Sequence, residues 1–326
     1  MLSSHKLLAT FVILIGACNH SQAQTSGPYP NRPITVVVPM SAGGTADLVA
    51  RNLAPVLTEK LGQSVVIDNR VGANGAIGEE YFSRAKPDGY TLMIESTSIA
   101  TNPWMSALPY DAKKAFIPII QIAAVPLVLV VNTSKISAQN TKEFIALAKK
   151  SPGQLNYASW GNGGIGHFAG EIFKNTTKTD IAHVPYKSTA QALSDTLAGQ
   201  VDAMFPTLPL AMQHLGGGKI RALALTSPVR SPMAPDIPTM AEVGVPGVEV
   251  ETWFGIFAPA GTPQDIINKI NQTTQTILTT PSFKGQLEKQ GFRVIGGSQA
   301  DFTKFYFAEI ERYGRIVKEA NLKSGD

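Results

Sequence analysis

Cysteine is almost absent from this chain of 326 residues, which contains only Cys18. A single thiol excludes an intrachain disulfide. If the N-terminal segment that holds Cys18 is removed, no cysteine remains for metal binding or nucleophilic catalysis. The folded body must therefore be stabilised by packing rather than by covalent crosslinks.

Charged residues are also few. They make up 16% of the chain, the formal net charge is +4, and no lysine- or arginine-rich run occurs. A chain without such a run, and without alternating basic and aromatic residues, is not expected to bind nucleic acid. The hydrophobic fraction of 44% is that of a soluble globular protein, and the length allows two domains, each with its own core.

Motifs of common enzyme classes are missing as well. The chain contains no G-x-S-x-G, H-E-x-x-H or G-x-x-x-x-G-K-[ST] pattern, and its five histidines are scattered. We therefore expect a protein that is not an enzyme and that holds no cofactor and no metal. His167 and His183 are expected to cap or pack, and His167 is kept as a candidate for ligand contact.

Residues 1–24 have the layout of a signal peptide: a basic start at His5 and Lys6, an apolar run over 7–17 and a small-x-small site at 21–23. The apolar run is too short to span a bilayer. We expect export, a mature chain beginning near Gln24 and a periplasmic location. Cys18 follows Ile-Gly-Ala, which looks like a lipobox, so a lipid anchor at Cys18 is the alternative.

Strand–turn–helix units fill the first third of the chain. Apolar runs at 34–38, 65–68 and 91–95 predict buried parallel strands, and helical patterns follow the first two. Ligands of open α/β sheets bind beyond the carboxyl ends of the strands. We therefore expect the segments 41–44, 74–75 and 96–98 to face one crevice. Asp47 either caps the first helix or belongs to the site, and Pro55 should kink that helix or divide it.

The same order recurs after a crossing segment. Residues 116–132 predict two strands that pass between lobes near Pro126, and βα units follow over 141–225. Residues 227–250 read as a surface connection that leads back to a strand at 253–259. The prediction is an α/β protein with two lobes, each a mainly parallel sheet flanked by helices. Lobe one comprises 25–126 and 252–326, and lobe two comprises 127–251.

The stretch 157–173, YASWGNGGIGHFAGEIF, predicts a strand, a glycine-rich turn and a helix start. Such a turn presents free amides at a positive helix end, which favours an anion. Gly161, Gly163 and Gly166 also match G-x-G-x-x-G, but the acidic residue of a dinucleotide site is missing about 20 positions later. An anion site is favoured over a purely structural turn and over a nucleotide site.

Eight motifs resemble the extracytoplasmic solute receptors of tripartite tricarboxylate transporters, the Bug family. They are YPNRPI (29–34), VPMSAGGTADLVAR (38–51), LGQSVVIDNRVGANGAIG (61–78), KPDGYTL (86–92), LNYASWGNGGIGH (155–167), HVPYK (183–187), GQVDAMF (199–205) and FAPAGTP (257–263). The resemblance implies a periplasmic-binding-protein architecture, expected as a monomer, whose lobes close on a small organic carboxylate. It also implies delivery to membrane permease subunits, with carboxylate sensing for a membrane kinase as the alternative.

Carried over by motif and by the strand ends, the resemblance implies a site between the loop at 42–47 and the loop at 159–164. The candidate ligand-binding residues are Ala42, Gly43, Gly44, Asp47, Asn74, Ser98, Ser159, Trp160, Gly163, Gly164, His167, Tyr186 and Asp202. Gly164 and Gly166 stand where many members carry hydroxyl side chains, which suggests a roomy pocket lined by amides. With Trp160, Tyr186 and Trp253 either in its wall or in the core, an aromatic carboxylate or a dicarboxylate is favoured.

Overall fold

The computed structural model describes residues 27–320 and 322. The signal-peptide and lipid-anchor predictions fall on 1–24 and lie outside these residues. Eleven strands occur in the described part: β1 (Ile34–Val38), β2 (Val65–Asn69), β3 (Thr91–Ser96), β4 (Phe116–Pro126), β5 (Val128–Asn132), β6 (Asn156–Ser159), β7 (Ala182–Pro185), β8 (Ala203–Met204), β9 (Ile220–Leu225), β10 (Glu251–Pro259) and β11 (Arg293–Val294).

Helices alternate with these strands over most of the chain. Those within the described residues are α1 (Thr45–Leu61), α2 (Ala76–Ser83), α3 (Ser98–Met105), α4 (Ala112–Ala115), α5 (Thr141–Lys150), α6 (Ile165–Thr177), α7 (Thr189–Leu197), α8 (Leu208–Leu215), α9 (Gln264–Thr279), α10 (Pro281–Lys289) and α11 (Gln299–Glu319). None of the helices in this part of the chain combines the length and hydrophobicity needed to cross a membrane.

Two sheets organise the molecule, as the predicted two-lobed α/β architecture requires. The first has six strands in the order β11-β4-β10-β3-β1-β2, and the second has five in the order β7-β6-β8-β5-β9. We call each sheet with its flanking helices a lobe, the first lobe and the second lobe. The chain passes from the first sheet to the second between β4 and β5, and it returns between β9 and β10. The residue limits predicted for the lobes remain a prediction.

Strand direction is mixed in both sheets. The βα units pair in parallel, as predicted: β1 with β2 and β3, and β6 with β7 and β8. The strands that lead from one lobe to the other pair antiparallel, β10 with β3 and β4, and β5 with β8 and β9. The strand-to-helix turns therefore lie at the carboxyl edge of the parallel part of each sheet. The segments that cross between the lobes leave from the antiparallel part.

Two chain segments cross between the lobes side by side. Leu127, between β4 and β5, is fully buried, and its N–H donates to Thr226 Oγ1 over 3.0 Å. The Thr226 amide donates to the Leu127 carbonyl over 2.9 Å, and the Val250 amide donates to the Thr226 carbonyl over 3.0 Å. The crossing predicted near Pro126 thus consists of short segments joined by hydrogen bonds.

Helix α1 is one element despite Pro55, so the predicted division into two pieces is wrong. Pro55 lies on the exposed face, where water can bond the carbonyl that its missing N–H leaves unpaired. The opposite face buries Val49, Leu53 and Leu57 against the first sheet. The helix therefore keeps a rigid start beside β1.

The segment 227–250 is more than a surface connection, because Met240, Val248 and Val250 are almost completely buried. Its apolar residues follow no regular period, so this packing could not be predicted from the pattern of residues. The helices α3, α4 and α10 and the short β11 were not predicted either, and α3 begins directly where only a polar segment was expected.

The aromatic residues of α11 belong to the core. Phe302 and Tyr306 are buried and pack edge-on against Trp253 of β10. The same helix also reaches the second lobe, because the ring of Tyr313 lies 4.9 Å from that of Phe168 in α6. Helix α11 therefore forms a third connection between the lobes.

Candidate functional site

A cavity of about 720 Å³ lies where the carboxyl edges of the two sheets face each other. Its lining from the first lobe consists of Met40, Ser41, Gly43, Gly44, Thr45, Ala46, Asn74, Ser96, Thr97, Ser98, Thr101, Thr252 and Phe254. Its lining from the second lobe consists of Trp160, Gly163, Ile165, Lys187, Ser188, Thr189, Thr207, Pro209, Leu210 and Gln213. A second groove, of about 800 Å³, is lined by residues 32–91 of the first lobe alone and does not meet the strand ends of the second lobe.

Five helices begin at this cavity: α1, α3, α6, α7 and α8. The first backbone hydrogen bond of α1 comes from the Leu48 amide to the Gly44 carbonyl, so the amides of Thr45 and Ala46 precede it. The first bonds of the other four come from Ala100, Phe168, Ala192 and Ala211. The earlier N–H groups of a helix have no partner within it and lie at its positive end. The cavity is therefore surrounded by donors suited to an anion.

Lys187 adds a formal positive charge to the second-lobe side of the cavity. No aspartate or glutamate occurs among the described lining residues, so none opposes this charge from the wall itself. Thr252 contributes a different feature: its Oγ1 atom is buried and has no hydrogen-bond partner in the protein. A buried unpaired hydroxyl beside a cavity is a natural contact for a ligand.

Asp47 shapes the first loop from behind the cavity. Its Oδ2 atom accepts from the Gly43 amide over 2.8 Å and from Arg51 Nε over 2.7 Å, and its Oδ1 atom accepts from Asn69 Nδ2 over 2.9 Å. Burial acts to raise the pKa of this carboxyl, but these hydrogen bonds and the charge of Arg51 outweigh it and hold the pKa below its usual range. Of the two roles predicted for Asp47, the geometry favours the structural one.

The same loop brings Gly43 and Gly44 to the cavity, while Ala42 is exposed and does not line it. Gly43 has a φ of +78°, a backbone conformation that a residue with a Cβ rarely adopts. Gly44 precedes α1 in an extended conformation and leaves the helix start open to the cavity. The glycines of this turn therefore leave the first amides of α1 accessible from the cavity.

Trp160 lines the second-lobe wall, as one of its two predicted roles requires. Its indole fills the space beside Gly166, where an added Cβ would lie 2.7 Å from the ring. The expectation that Gly166 enlarges the pocket is therefore wrong, because the glycine makes room for Trp160 and not for a ligand. The apolar face of the cavity at this point is the indole itself.

Two amides predicted to contact the ligand are already used inside the protein. The Gly163 amide donates to His167 Nδ1 over 3.1 Å, and the Gly164 amide donates to the Gly161 carbonyl over 3.3 Å. Gly163 still lines the cavity through its backbone, and Gly164 lies behind it. The donors of this turn are consequently the amides of the first turn of α6, which begins at Ile165.

Ser159 and His167 support the turn from the interior. Ser159 is fully buried, and its Oγ atom lies 2.6 Å from His183 Nε2. The His183 and His167 rings stack with centroids 4.0 Å apart. Burial lowers the pKa of His167 to about 4 and that of His183 to about 3, so both rings are neutral near pH 7. Neither Ser159 nor His167 lines the cavity, so their predicted ligand contact is not direct.

Asp202, Tyr186 and Trp253 also lie outside the cavity. Asp202 Oδ2 accepts from the Asn156 amide over 2.9 Å, at the amino end of β6, whereas the site lies at the carboxyl end. Trp253 is buried in the aromatic core, where its Nε1 donates to Glu309 over 3.1 Å. Tyr186 packs against the core of the second lobe. The predicted ligand contacts of Asp202 and Tyr186 are therefore not direct, and Trp253 takes the core position that was one of its two predicted roles.

Asn74 and Ser98 line the first-lobe side, as predicted from the strand ends. The sequence reasoning missed the residues at the start of α8, although Thr207 follows a strand and precedes a helix, which is the local signal of a cap. It also missed Thr252 and Phe254, and no local signal marks them, since β10 reaches β3 only through long-range pairing. No group of three or more His, Cys, Asp or Glu placed to share a metal ion occurs in residues 27–320 and 322.

Comparisons with known proteins agree with this architecture. A family model described as tripartite tricarboxylate transporter family receptor matches residues 49–322. The chain is 34% identical to the protein BugT of Bordetella pertussis over 321 residues, which cover 98% of each chain. It is 37% identical to Rpa4515 of R. palustris, solved with adipate, at a TM-score of 0.80 over 90% of this chain and 99% of that one. It is 30% identical to MatC of Rhodopseudomonas palustris, solved with malate, at a TM-score of 0.75 over 89% and 100%.

Proposed function

The chain belongs to the tripartite tricarboxylate transporter receptor family, a family of solute-binding proteins, and on that premise we propose that it binds a small organic carboxylate between its two lobes. The observation that carries the proposal is the convergence of helix starts from both lobes on one cavity. Free amides at positive helix ends are the backbone's own site for an anion. The proposal therefore rests on backbone geometry rather than on any single side chain.

Size and charge fit a small acid. A volume of about 720 Å³ lies within the range of pockets that take small organic molecules. Lys187 attracts an anion, and Trp160 and Phe254 offer apolar surface to the body of the ligand. A Kd near 1 μM would correspond to about −8 kcal/mol, which a few amide contacts and partial burial of a small molecule can supply. Adipate and malate in related structures are acids of this size class.

For the cell, we propose that the protein is exported to the periplasm and acts as a monomer that delivers its ligand to the permease subunits of a tripartite tricarboxylate transporter. Membership of a transporter receptor family supports this role. Sensing of the same carboxylate for a membrane kinase is the second candidate, since a closing pair of lobes can serve both. Deleting the gene separates the two: a transport role predicts loss of uptake, and a sensing role predicts intact uptake with a lost transcriptional response.

Thermal-shift screening of residues 25–326 tests the binding function. The panel consists of aliphatic and aromatic mono- and dicarboxylates, each paired with its neutral amide of the same carbon skeleton. We expect at least one carboxylate to raise the melting temperature in a concentration-dependent way while its amide does not, because only the carboxylate matches the helix ends. Stabilisation by amides, sugars or amines with none by carboxylates would contradict the proposal.

A further inference from the structure

The end of β3 and the start of α3 form one wall of the cavity, which we call the β3–α3 wall. Its serine hydroxyls donate their hydrogens to a buried side chain of the protein. Ser98 Oγ donates to Glu95 Oε1 over 2.6 Å, and Ser96 Oγ donates to the same atom over 2.8 Å. The two hydroxyls line the cavity, and Glu95 lies fully buried behind them. A hydroxyl has one hydrogen, so each of these oxygens can offer a ligand only its lone pairs.

The threonine hydroxyls of this wall also donate their hydrogens to groups of the protein. Thr97 Oγ1 donates to the Glu251 carbonyl over 3.3 Å, and Thr101 Oγ1 donates to the Ser98 carbonyl over 3.2 Å. Asn74 donates one Nδ2 hydrogen to Asn102 over 3.1 Å, which leaves its second Nδ2 hydrogen and its Oδ1 atom for the cavity. Thr252 of β10, next to this wall, keeps its hydrogen and can take either role. The hydroxyls of the wall from Ser96 to Thr101 are therefore acceptors.

Behind the wall lies a pair of fully buried carboxyl groups, Glu95 and Glu79. Glu95 Oε1 receives the two serine hydroxyls and the Ser96 amide, while Glu95 Oε2 has no partner. Glu79 receives hydrogen bonds from Asn102 Nδ2 and from the Tyr110 hydroxyl. Glu95 Oε2 and Glu79 Oε1 both lie within 3.4 Å of the point where a Cβ on Gly75 would stand.

This arrangement indicates one proton and one negative charge for the pair. Among the described residues, only neutral side chains face the acid pair from the elements packed against it. They are Ser96 of β3, Ser98 and Asn102 of α3, Tyr110 of the loop before α4, and Tyr306 of α11. Burial and mutual repulsion raise the pKa of Glu79, and burial raises that of Glu95. Three donors on one oxygen stabilise the ionised form of Glu95, so the proton is assigned to Glu79.

We propose that Glu95 makes the hydroxyls of the β3–α3 wall acceptors, so that the site selects a carboxylate that carries a hydroxyl or ammonium donor at its far end. The inference rests on the proposed function and deepens it. The acid group of the ligand is held by the helix starts of α1, α6, α7 and α8, and its donor bonds Ser96, Ser98 or Asn74. A second carboxylate at that end would meet the lone pairs of these hydroxyls and a buried negative charge, which oppose the attraction of the amides at the start of α3.

Calorimetric titration of length-matched ligands tests the selection. The pairs are 4-hydroxybutanoate with succinate and 6-hydroxyhexanoate with adipate, at about pH 7, where free carboxylates are ionised. We expect the better hydroxy acid to bind at least about tenfold more tightly than the dicarboxylate of equal length, since unmatched polar contacts discriminate strongly in buried sites. Equal or tighter binding of both dicarboxylates would overturn the inference and leave carboxylate binding intact. If neither series binds and no carboxylate of the thermal-shift panel does either, the proposed function fails as well.

Variants identify the source of the selection. The double substitution Glu79→Gln with Glu95→Gln keeps shape but removes the charge, and the preference for the hydroxy acid should fall to less than about threefold. Ser98→Ala, which removes one acceptor and leaves the acid pair in place, should reduce it as well. Glu309→Gln is the matched control, since Glu309 is a buried acid that bonds Trp253 in the aromatic core. A preference that survives both the double substitution and Ser98→Ala would contradict the role of Glu95.

Discussion

Single residues decide which hydrogens remain available to a ligand. Gly163 has an amide at the cavity, but His167 Nδ1 already accepts its hydrogen. Thr45, the first residue of α1, has an amide that precedes the first hydrogen bond of the helix. The two amides thus differ in what they can offer a ligand, because the side chain of His167 bonds the Gly163 amide and the described part of the protein provides no partner for the Thr45 amide.

Thr45→Pro should weaken carboxylate binding while leaving the fold intact. Proline is well tolerated at the first position of a helix, and Gly44 before it already has the extended conformation that a proline requires, with ψ of 170°. The substitution removes the N–H that we assign to the ligand, so we expect Kd to rise about tenfold, the value of one charge-assisted hydrogen bond. Calorimetry with the carboxylate that gives the largest thermal shift measures it.

Two controls separate this effect from others. Thr45→Ala removes only the hydroxyl, and Gln299→Pro places proline at the same helical position of α11, outside the residues that line the cavity. Both should bind like the wild type. If Thr45→Pro also binds like the wild type and melts at the same temperature, the α1 amide does not hold the ligand.

The residue scale is also where prediction from the sequence reached least far. Gly43, Gly44 and Asn74 could be placed because each follows a strand that the apolar runs mark. Asp202 was misplaced, since a motif alone does not say which end of a strand a residue occupies. The commitment of Ser98 to Glu95 depends on side-chain packing between β3 and α3 and could not be read from the chain.

At the scale of elements, β3 and α2 carry the buried acid pair. Glu95 lies in β3 and Glu79 in α2, and the glycine at position 75 lets the two carboxyl groups approach the same point. Both carboxyls have a raised pKa in the folded protein, whereas an unfolded glutamate titrates near pH 4.3. The folded state therefore holds more protons than the unfolded state above that pH, and stability must depend on pH through this pair.

Glu79→Gln should become more stable relative to the wild type as pH rises. The stabilising contribution of a carboxyl with a raised pKa is complete below its unfolded pKa and is lost as pH rises through its folded pKa. A neutral glutamine avoids that loss, so the difference in free energy of unfolding between variant and wild type should shift toward the variant from about pH 5 to about pH 9. Urea unfolding at both pH values measures the difference.

Asp301→Asn provides the comparison for this pH experiment. Asp301 caps α11, and its hydrogen bonds with Ser298 lower the pKa of its carboxyl, so it stays ionised over the whole range. The difference between Asp301→Asn and wild type should therefore not change between the two pH values. A constant difference for Glu79→Gln as well would mean that the acid pair does not hold an extra proton.

Elements were predicted well where their signal is local. The apolar runs of β1, β3 and β9 and the helical patterns of α1, α5 and α11 each lie within one stretch of chain. Helix α3 was missed because its residues 98–105, SIATNPWM, include Pro103, and because its polar residues Ser98, Thr101 and Asn102 are buried instead of forming an exposed face. Long-range packing holds the helix under α11, where Trp104 Nε1 donates to the Ile310 carbonyl over 2.7 Å.

The whole molecule is a pair of lobes joined in three places. Two crossing segments meet at Leu127 and Thr226, and Tyr313 of α11 packs on Phe168 of α6. The crossings leave the carboxyl edges of both sheets facing the same cavity, so a ligand between them contacts helix starts from each lobe. The two-lobed architecture could be predicted because the βα order repeats along the chain. The contact of α11 with the second lobe could not, since it joins residues 145 positions apart.

A crystal structure of residues 25–326 with the carboxylate that gives the largest thermal shift tests the central claim most directly. We predict one ligand in the cavity, with its carboxylate oxygens about 2.7–3.2 Å from amide nitrogens in the first turns of α1, α6, α7 or α8. A carboxylate bound outside this cavity, or held there by side chains alone without any helix-start amide, would contradict the account.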